Sequence, residues 1–263
     1  MKERIVSMLP PGKPWGELVH CYDTVDSTNT LAKQLALKGA PHGTVLIAES
    51  QTGGRGRRGR SFHSPAGTGI YMSILLRPEC RAEELMHLTC AAAVALHAAV
   101  EKTTGLNTGI KWTNDLVCGK RKLAGILTEL LFGPDGSVSG AVVGIGINCN
   151  QTPEDFPSGI QQIAGSLAMA AGAPVDRAAV AAAMIEAFCE LDLKNRADIM
   201  VSYRCRSITL GKEVSLDRAD GAVRHGKALD VDDSGALVVA FEDGKTEAVN
   251  SGEVSVRGMY GYL

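Results

Sequence analysis

Short hydrophobic runs and longer stretches of helical periodicity alternate along most of the chain. A helix is predicted over residues 24–39, because Asp26 or Ser27 can cap its first turn and a glycine follows its last one. A second, long helix is predicted from about residue 82 to residue 104. Roughly the first 20 residues show no regular pattern. The other predicted elements are strands at 44–48, 70–76, 111–118, 122–131 and 138–147, and alanine-rich helices near 160–171 and 176–194.

A change of texture near residue 207 predicts a second, smaller domain. From there on, short strands are separated by turns rich in glycine and aspartate, as in a small β-barrel. These strands are predicted at 214–216, around 223, and at 227–231, 236–241 and 253–257. The sequence therefore predicts an α+β domain at 1–206 and a barrel domain at 207–263.

Two charged strand segments are predicted to form a hairpin around Gly119 and Lys120, a pair suited to a tight turn. Side chains alternate along a strand and opposed residues share a face, so Lys111, Asp115 and Lys122 are predicted to project from one side. Two cations and a carboxylate on one face favour a phosphate and metal site. A solvated outer face with an ordinary salt bridge fits the same pattern, and these residues alone leave both readings open.

The composition is that of a soluble globular protein. Of the 263 residues, 45% are hydrophobic and 21% are charged, enough for one large core and a small appended one. A formal net charge of -2 argues against a surface that coats nucleic acid. The hydrophobic segment at 90–100 is about three helical turns long, too short to cross a membrane. Seven cysteines without a CxxC pair favour reduced thiols, and hence a cytoplasmic protein.

The most distinctive motif is an alternation of glycine and arginine from Gly53 to Arg60. Glycine permits close approach of backbone N–H groups to a ligand, and guanidinium groups match phosphate and carboxylate oxygens. Without an anion, neighbouring charges repel by roughly 1 kcal/mol per pair at ~4 Å in water, so residues 53–64 are predicted to be mobile until a ligand binds. An RNA-binding RGG-like segment is the alternative, but this run is short, internal and followed by a hydrophobic strand.

Three further features carry candidate ligand contacts. Residues 26–29 open the first predicted helix, where free N–H groups and hydroxyls could receive a carboxylate or ureido group, although a simple helix cap has the same composition. Residues 144–150 place small residues and amides at a strand end, as at the edge of a nucleobase site or in a packed glycine-rich strand. Phe62 and His63 either stack over a base or pin the loop to the core.

In combination, these motifs closely resemble the biotin protein ligase family from about residue 22 to the C-terminus. The segments that carry the resemblance are Ser27-Thr28-Asn29, Gln51 with the Arg/Gly run, Lys111-Trp112-x-Asn114-Asp115, Lys122-Leu123-Ala124-Gly125-Ile126, Gly144-Ile145-Gly146-Ile147-Asn148, Gly211-Lys212-Glu213-Val214 and Ser251-Gly252-Glu253-Val254-Ser255. The resemblance implies a mixed, mainly antiparallel sheet flanked by helices, like the catalytic domain of class II aminoacyl-tRNA synthetases, followed by an SH3-like barrel.

The resemblance also implies a role for each matching residue. The residues expected to be catalytic are Lys122, Arg57 and Lys111. Those expected to contact biotin are Ser27, Thr28, Asn29, Gln51, Gly54, Arg55, Gly56, Arg57, Lys122 and Gly125. Those expected around ATP or the adenylate are Arg55, Arg57, Arg58, Arg60, Phe62, Lys111, Asn114, Asp115 and Asn148. The metal ligands stay undefined, with Asp115 as a candidate Mg²⁺ contact.

Two residues depart from the family pattern. Thr113 stands where the family usually has proline, which leaves an additional N–H and a less rigid strand. Phe62 stands where some members have a tryptophan that covers ligand, so the stacking surface is smaller here.

The activity implied by the resemblance has two steps. Biotin and ATP, with Mg²⁺, form biotinyl-5′-AMP, and biotin is then transferred to a lysine of a biotin carboxyl carrier protein. Because only about 20 residues precede the catalytic segment, the sequence predicts a ligase without a repressor domain, and no specific DNA binding. No membrane association is expected, and monomer and homodimer are both open. The alternatives are a lipoate or octanoyl ligase or transferase of related fold, and an RNA-binding module.

Overall fold

A seven-stranded mixed sheet forms the centre of the computed structural model, which describes residues 1–11, 15–77, 87–217, 223–250 and 253–256. Its strands are β1 Val19–Val25, β2 Thr44–Gln51, β3 Gly69–Leu76, β4 Gly109–Lys111, β5 Asp115–Cys118, β6 Arg121–Phe132 and β7 Val138–Asn148. Their order across the sheet is β1-β2-β3-β7-β6-β5-β4. The β1 and β2 strands are parallel, and every other neighbouring pair is antiparallel.

Helices cover both faces of this sheet. They are α1 Lys2–Met8, α2 Trp15–Leu18, α3 Thr28–Leu37, α4 His87–Thr104, α5 Leu167–Ala171, α6 Arg177–Glu190 and α7 Arg196–Arg206. The main hydrophobic core lies where α4 packs on the sheet, with α6 and α7 packed on α4. On the opposite face, Ala32 and Ala36 of α3 pack against Leu46, Leu75 and Val142. The strand period of two separates the two cores, since alternate side chains of β2, β3 and β7 point to opposite faces.

A second sheet of five antiparallel strands follows. Its strands are β8 Glu213–Asp217, β9 Val223–Val231, β10 Leu237–Phe241, β11 Thr246–Val249 and β12 Glu253–Val256, in the order β11-β10-β9-β8-β12. The Trp112 indole N–H donates to the carbonyl of Gly235 at 3.0 Å, and the Trp112 backbone N–H donates to Thr209 Oγ1 at 2.9 Å. These bonds fix the second sheet beside the turn between β4 and β5. The division into domains at 1–206 and 207–263 stays a prediction.

The predicted fold class is confirmed, and most predicted elements are present. Strands β2, β3 and β7 coincide with the predicted runs at 44–48, 70–76 and 138–147. The helix predicted to end at Thr104 does so, whereas its predicted start lies outside the described residues. The expectation of an irregular start is wrong, because α1, α2 and the start of β1 lie there. The helix predicted over 24–39 begins only at Thr28, since β1 continues to Val25.

In the second half of the chain, one predicted element needs correction and two observed elements were not predicted. The segment near 160–171 is helical only at Leu167–Ala171, because Ile160 to Ala164 forms tight turns. Helix α7 and strand β11 were absent from the predicted elements. Helix α7 is rich in charged residues and β11 has only four residues, and both are stabilised by packing on neighbouring elements.

The prediction of a single strand over 111–118 is wrong. Residues 112–114 form a turn, so β4 and β5 pair with each other and Lys111 lies opposite Asp115. The peptide bond between Trp112 and Thr113 is cis. The turn persists because its backbone groups find partners elsewhere: the Trp112 N–H donates to Thr209 Oγ1, which lies between α7 and β8, and the Asn114 carbonyl accepts from the Ile126 N–H at 2.9 Å.

The cysteines and the helix lengths of the described part of the chain bear on two further expectations. Its six cysteines are all unpaired, in accord with the predicted reduced thiols. No helix among the described residues is both long and hydrophobic enough to span a bilayer.

Candidate active site

A cavity of about 200 Å³ lies over β3, β7 and β6, on the sheet face that α3 covers. The predicted site residues that line it are Ser27, Thr28, Asn29, Gln51, Arg55, Gly56, Arg57, Arg58, Arg60, Phe62, Lys111, Asn114, Asp115, Lys122 and Gly125. They come from five separate segments, so the fold brings together nearly all the residues that the sequence singled out. Trp112 and Val254 also line the cavity, which brings the second sheet to its edge.

Glycines form part of the cavity floor. Gly144 and Gly146 of β7 face the cavity, where a Cβ at Gly144 would collide with the Asn29 amide and a Cβ at Gly146 would lie 2.6 Å from the Phe62 ring. The Phe62 ring also meets Tyr71 edge to face, with 6.3 Å between ring centroids. The absence of side chains on β7 therefore lets the Arg/Gly segment and the start of α3 lie directly on the sheet.

The Arg/Gly segment is held on both sides of the cavity. The Arg55 guanidinium pairs with the Glu129 carboxylate of β6 at 3.1 Å, and Arg57 donates to Asn114 Oδ1 at 3.0 Å. Arg58, which directly follows Arg57, adopts a φ of 56° in a tight turn. Arg55 and Arg57 thus join the segment to β6 and to the 112–114 turn, which the sequence did not reveal.

Lys111, Asp115 and Lys122 form the cationic end of the cavity. Lys122 Nζ lies 2.6 Å from Asp115 Oδ1, and Lys111, which is buried, is the direct neighbour of Asp115 in the β4 and β5 pair. The prediction that these three side chains share one face is confirmed, but the register differs. A bulge after Leu116 places Asp115 opposite Gly125. The bulge brings the two strands' charged residues together without the single long strand that was expected.

A buried polar network forms the other end of the cavity. The Thr28 backbone N–H donates to Gln51 Oε1 at 2.9 Å, and the Ser73 hydroxyl lies 2.8 Å from Thr28 Oγ1 and 2.6 Å from Asn29 Oδ1. Asn29 Nδ2 donates to Glu129 at 2.9 Å. Ser27, Thr28, Asn29 and Gln51, which line this end, are uncharged, and the Glu129 carboxylate behind them is ion-paired with Lys33 and Arg55. This end therefore suits an uncharged polar group of a ligand.

Glu129 and Ser73 are functional candidates that the sequence reasoning missed. Burial raises the pKa of the Glu129 carboxyl, but hydrogen bonds from Lys33 and Asn29 and the charges of Lys33 and Arg55 outweigh it and hold the pKa below its usual value. The signal that could have found Glu129 is its spacing from Gly125, since residues four apart on a strand share a face. Ser73 gives no such signal, because a serine inside a hydrophobic strand is common.

Gly54 and Asn148 are the two predicted site residues that do not line the cavity. Asn148 is buried at the end of β7, where its Nδ2 donates to the Gly165 carbonyl at 2.9 Å; the Gly165 N–H in turn donates to the Lys122 carbonyl at 2.9 Å. A Cβ at Gly54 would lie 2.6 Å from Ser64 Oγ. Both residues therefore pack behind the residues that line the cavity, and their contacts with ligand stay a prediction.

Comparisons with known proteins define the class. Residues 21–148 match the Biotin/lipoate A/B protein ligase family, and residues 209–257 match the Biotin protein ligase C terminal domain. The chain is 32% identical over 258 residues to a biotin--[acetyl-CoA-carboxylase] ligase of Mycobacterium tuberculosis, covering 94% of this chain and 91% of that one. It is 38% identical over 232 residues to the bifunctional ligase/repressor BirA of Bacillus subtilis, covering 87% and 71% of the two chains.

A solved structure agrees with these matches. The biotin protein ligase from Aquifex aeolicus in complex with biotin and ATP is 30% identical and superposes with a TM-score of 0.76, covering 91% of this chain and 98% of that chain. The fold therefore defines a member of the ligases that act on biotin or lipoate. Within that class, the C-terminal match and the relatives narrow the assignment: this chain belongs to the biotin protein ligase family.

Proposed function

We propose that this protein joins biotin to ATP as biotinyl-5′-AMP and transfers biotin to a lysine of a biotin carboxyl carrier protein. The observation that carries the proposal is one cavity with a neutral polar end and a cationic end, which suits a ligand with a polar uncharged ring and a carboxylate. The family relatives are biotin ligases, and the Aquifex aeolicus relative was solved with biotin and ATP.

The neutral end is assigned to the fused ring system of biotin. Ser27, Thr28 and Gln51 are placed around the urea group, because their hydroxyl and amide groups line that end and a helix begins there. The biotin carboxylate then extends towards Lys122. Asn29, Gly54, Arg55, Gly56, Arg57 and Gly125 complete the proposed biotin contacts.

The cationic end is assigned to the reacting groups. A carboxylate oxygen attacks the α-phosphorus of ATP, the new C–O–P bond forms, and pyrophosphate leaves. This brings two anions together, so catalysis is chiefly alignment and charge neutralisation. The cations that line the cavity are Arg55, Arg57, Arg58, Arg60, Lys111 and Lys122. Of these, Lys122, Arg57 and Lys111 are proposed as catalytic, with Phe62, Asn114, Asp115 and Asn148 also assigned to the nucleotide.

The second step consumes the adenylate. The amine of the acceptor lysine attacks the acyl carbon, an amide bond forms, and AMP leaves with the electrons of the broken C–O bond. Biotinyl-AMP is a mixed anhydride that water would hydrolyse, so it must be shielded before the carrier arrives. The segment from Gly53 to Ser64 lies over the cavity, with Phe62 packed on the glycine floor, and is proposed to provide that shield.

The residues present suit a Mg²⁺ ion that is held mainly by the nucleotide. No three His, Cys, Asp or Glu side chains of the described residues group together as metal ligands, and Asp115 is already ion-paired with Lys122. Mg²⁺ commonly keeps several waters and binds through one or two carboxylates plus substrate phosphates. Asp115 would be its protein contact, and the ion would neutralise phosphate charge.

The remaining proposals concern the setting of the reaction. The acceptor is a carrier protein of a biotin-dependent carboxylase, as the names of the relatives indicate for those proteins. A cytoplasmic location is expected from the cysteine usage, and the net charge argues against specific DNA binding. For the oligomeric state, a monomer and a homodimer are both open.

The proposed function is tested by mass spectrometry of an isolated biotin carrier domain. After incubation with this protein, ATP, Mg²⁺ and equal amounts of biotin and lipoate, we expect the carrier lysine to gain biotin and no lipoyl group. A carrier domain that gains lipoate in preference would assign the protein to the related lipoate ligases, and an unmodified carrier would contradict the proposal altogether.

Lys122 is expected to be required for adenylation. Removing one preorganised donor from such a site typically lowers the rate by on the order of 100-fold or more, so Lys122→Ala should lower biotin-dependent pyrophosphate release by that factor. Lys120→Ala is the matched control, because Lys120 lies exposed in the adjacent hairpin turn. Similar rates for the two variants would show that Lys122 does not stabilise the reacting charges.

Residues 53–64 are expected to gain protection from hydrogen exchange when biotin binds. The arginines of this segment repel one another in the empty protein, and glycines make the loop entropically costly to hold, so a bound carboxylate should favour closure. Exchange is measured with and without saturating biotin, and amides of α6 in the opposite core provide the internal control. Equal protection of residues 53–64 in both states would mean that the loop is preformed.

A further inference from the structure

A continuous chain of side-chain hydrogen bonds runs behind the neutral end of the cavity. It passes from the base of the Arg/Gly segment through the start of α3 to β6. Its members are Ser64, Gln51, Thr28, Ser73, Asn29 and Glu129. Hydroxyl and amide groups can act as donor or acceptor, so the direction of such a chain is set by the groups at its two ends.

At the Ser64 end of the chain, the hydrogen bonds can run from donor to acceptor in only one direction. The Ser64 hydroxyl donates to the carbonyl of Phe62 at 2.9 Å, and a carbonyl can only accept. Ser64 Oγ must then accept from Gln51 Nε2, which lies 2.9 Å away. This turns Gln51 Oε1 towards Thr28, where it accepts the backbone N–H at 2.9 Å. Gln51 therefore presents an acceptor at the cavity.

At the Glu129 end, the direction of the hydrogen bonds is also fixed. An ionised carboxylate can only accept, and Asn29 Nδ2 donates to Glu129 at 2.9 Å and to the Leu127 carbonyl at 3.2 Å. Asn29 Oδ1 is consequently turned towards Ser73. The Ser73 hydroxyl, at 2.6 Å, donates to it. Ser73 is fully buried, so no water competes for that proton.

The two directions meet at Thr28. Ser73 Oγ is the donor in its 2.8 Å contact with Thr28 Oγ1 as well as in its contact with Asn29, so its one proton is shared between the two acceptors. Thr28 Oγ1 accepts on that side, and the Thr28 hydroxyl donates to Gln51 Oε1 at 3.2 Å, which only accepts. The Thr28 proton thus stays inside the network, and Thr28 Oγ1 presents a lone pair to the cavity.

We propose that Glu129, Ser73 and Ser64 are positioning residues that fix Thr28 Oγ1 and Gln51 Oε1 as acceptors and thereby select a ligand with N–H donors. This inference rests on the proposed function and deepens it. The cyclic urea of biotin carries two N–H groups, whereas the dithiolane ring of lipoate carries none. A ligand without donors would leave the remaining lone pairs of Thr28 Oγ1 and Gln51 Oε1 without a hydrogen bond, which is the kind of mismatch that gives strong discrimination.

The test combines protein variants with ligands methylated at one or the other urea nitrogen. Glu129→Gln retains the shape of the side chain but leaves only the Leu127 carbonyl to fix the direction of Asn29, and Ser73→Ala leaves only the longer 3.2 Å contact with Gln51 Oε1 to hold the Thr28 proton away from the cavity. Titration calorimetry measures the affinity of each protein for biotin and for the two N-methylbiotins. In the unaltered protein, we expect methylation of the nitrogen that faces Thr28 to weaken binding by on the order of 100-fold.

In each variant, biotin should bind on the order of 10-fold more weakly while the methylated ligand changes little, so the penalty for methylation shrinks. Loss of packing would weaken both ligands by the same factor, and that result would overturn the inference while leaving the proposed function intact. The matched control is Lys33→Met, which removes an ion pair of Glu129 but no member of the chain, and should keep the full penalty. An unaltered protein that binds no biotin would instead refute the proposed function itself.

Discussion

The charge balance of one cavity constrains the rest of this structure. Six arginine and lysine side chains line it, whereas Asp115 is the one acidic residue among the described residues that line it. Such an excess of positive charge is tolerated only if neighbouring groups offset part of it and a ligand supplies the remainder. Glu129 offsets Arg55 and Asp115 offsets Lys122, which leaves cationic capacity for a carboxylate and a phosphate. The structure is thus suited to hold two anions in contact, which is the requirement of adenylate formation.

The remaining architecture places these charges at short range. Glycines on β7 let the Arg/Gly segment and the start of α3 approach the sheet, since a Cβ at either of two positions would displace Asn29 or Phe62. On the other side, the turn between β4 and β5 carries Asn114 to the cavity because Trp112 is bonded into the second sheet. The small C-terminal sheet therefore contributes to the geometry of the site even though few of its residues reach the cavity.

Features that depend on local sequence were predictable, whereas features that depend on contacts between residues far apart in the chain were not. Buried strands such as β3 were predictable, because their hydrophobic runs reflect local periodicity. The cationic residues were predictable from motif order, and the shared face of Lys111 and Asp115 was correct although its assumed register was not. The turn at 112–114 was missed because its stability comes from Thr209 and Gly235, about a hundred residues away. Glu129 was missed for the same reason, since its partners lie on α3 and the Arg/Gly segment.

The central claim is that the cavity both forms and retains a biotin adenylate, and native mass spectrometry of the reaction without any carrier protein tests this most directly. After the protein is incubated with biotin, ATP and Mg²⁺ and transferred rapidly into volatile buffer, we expect one biotinyl-AMP bound per chain, with pyrophosphate in solution. Replacing biotin with lipoate should give the unliganded mass. Adenylate found only free in solution would contradict retention, and a bound lipoyl adenylate, or no adenylate at all, would contradict the account of the site.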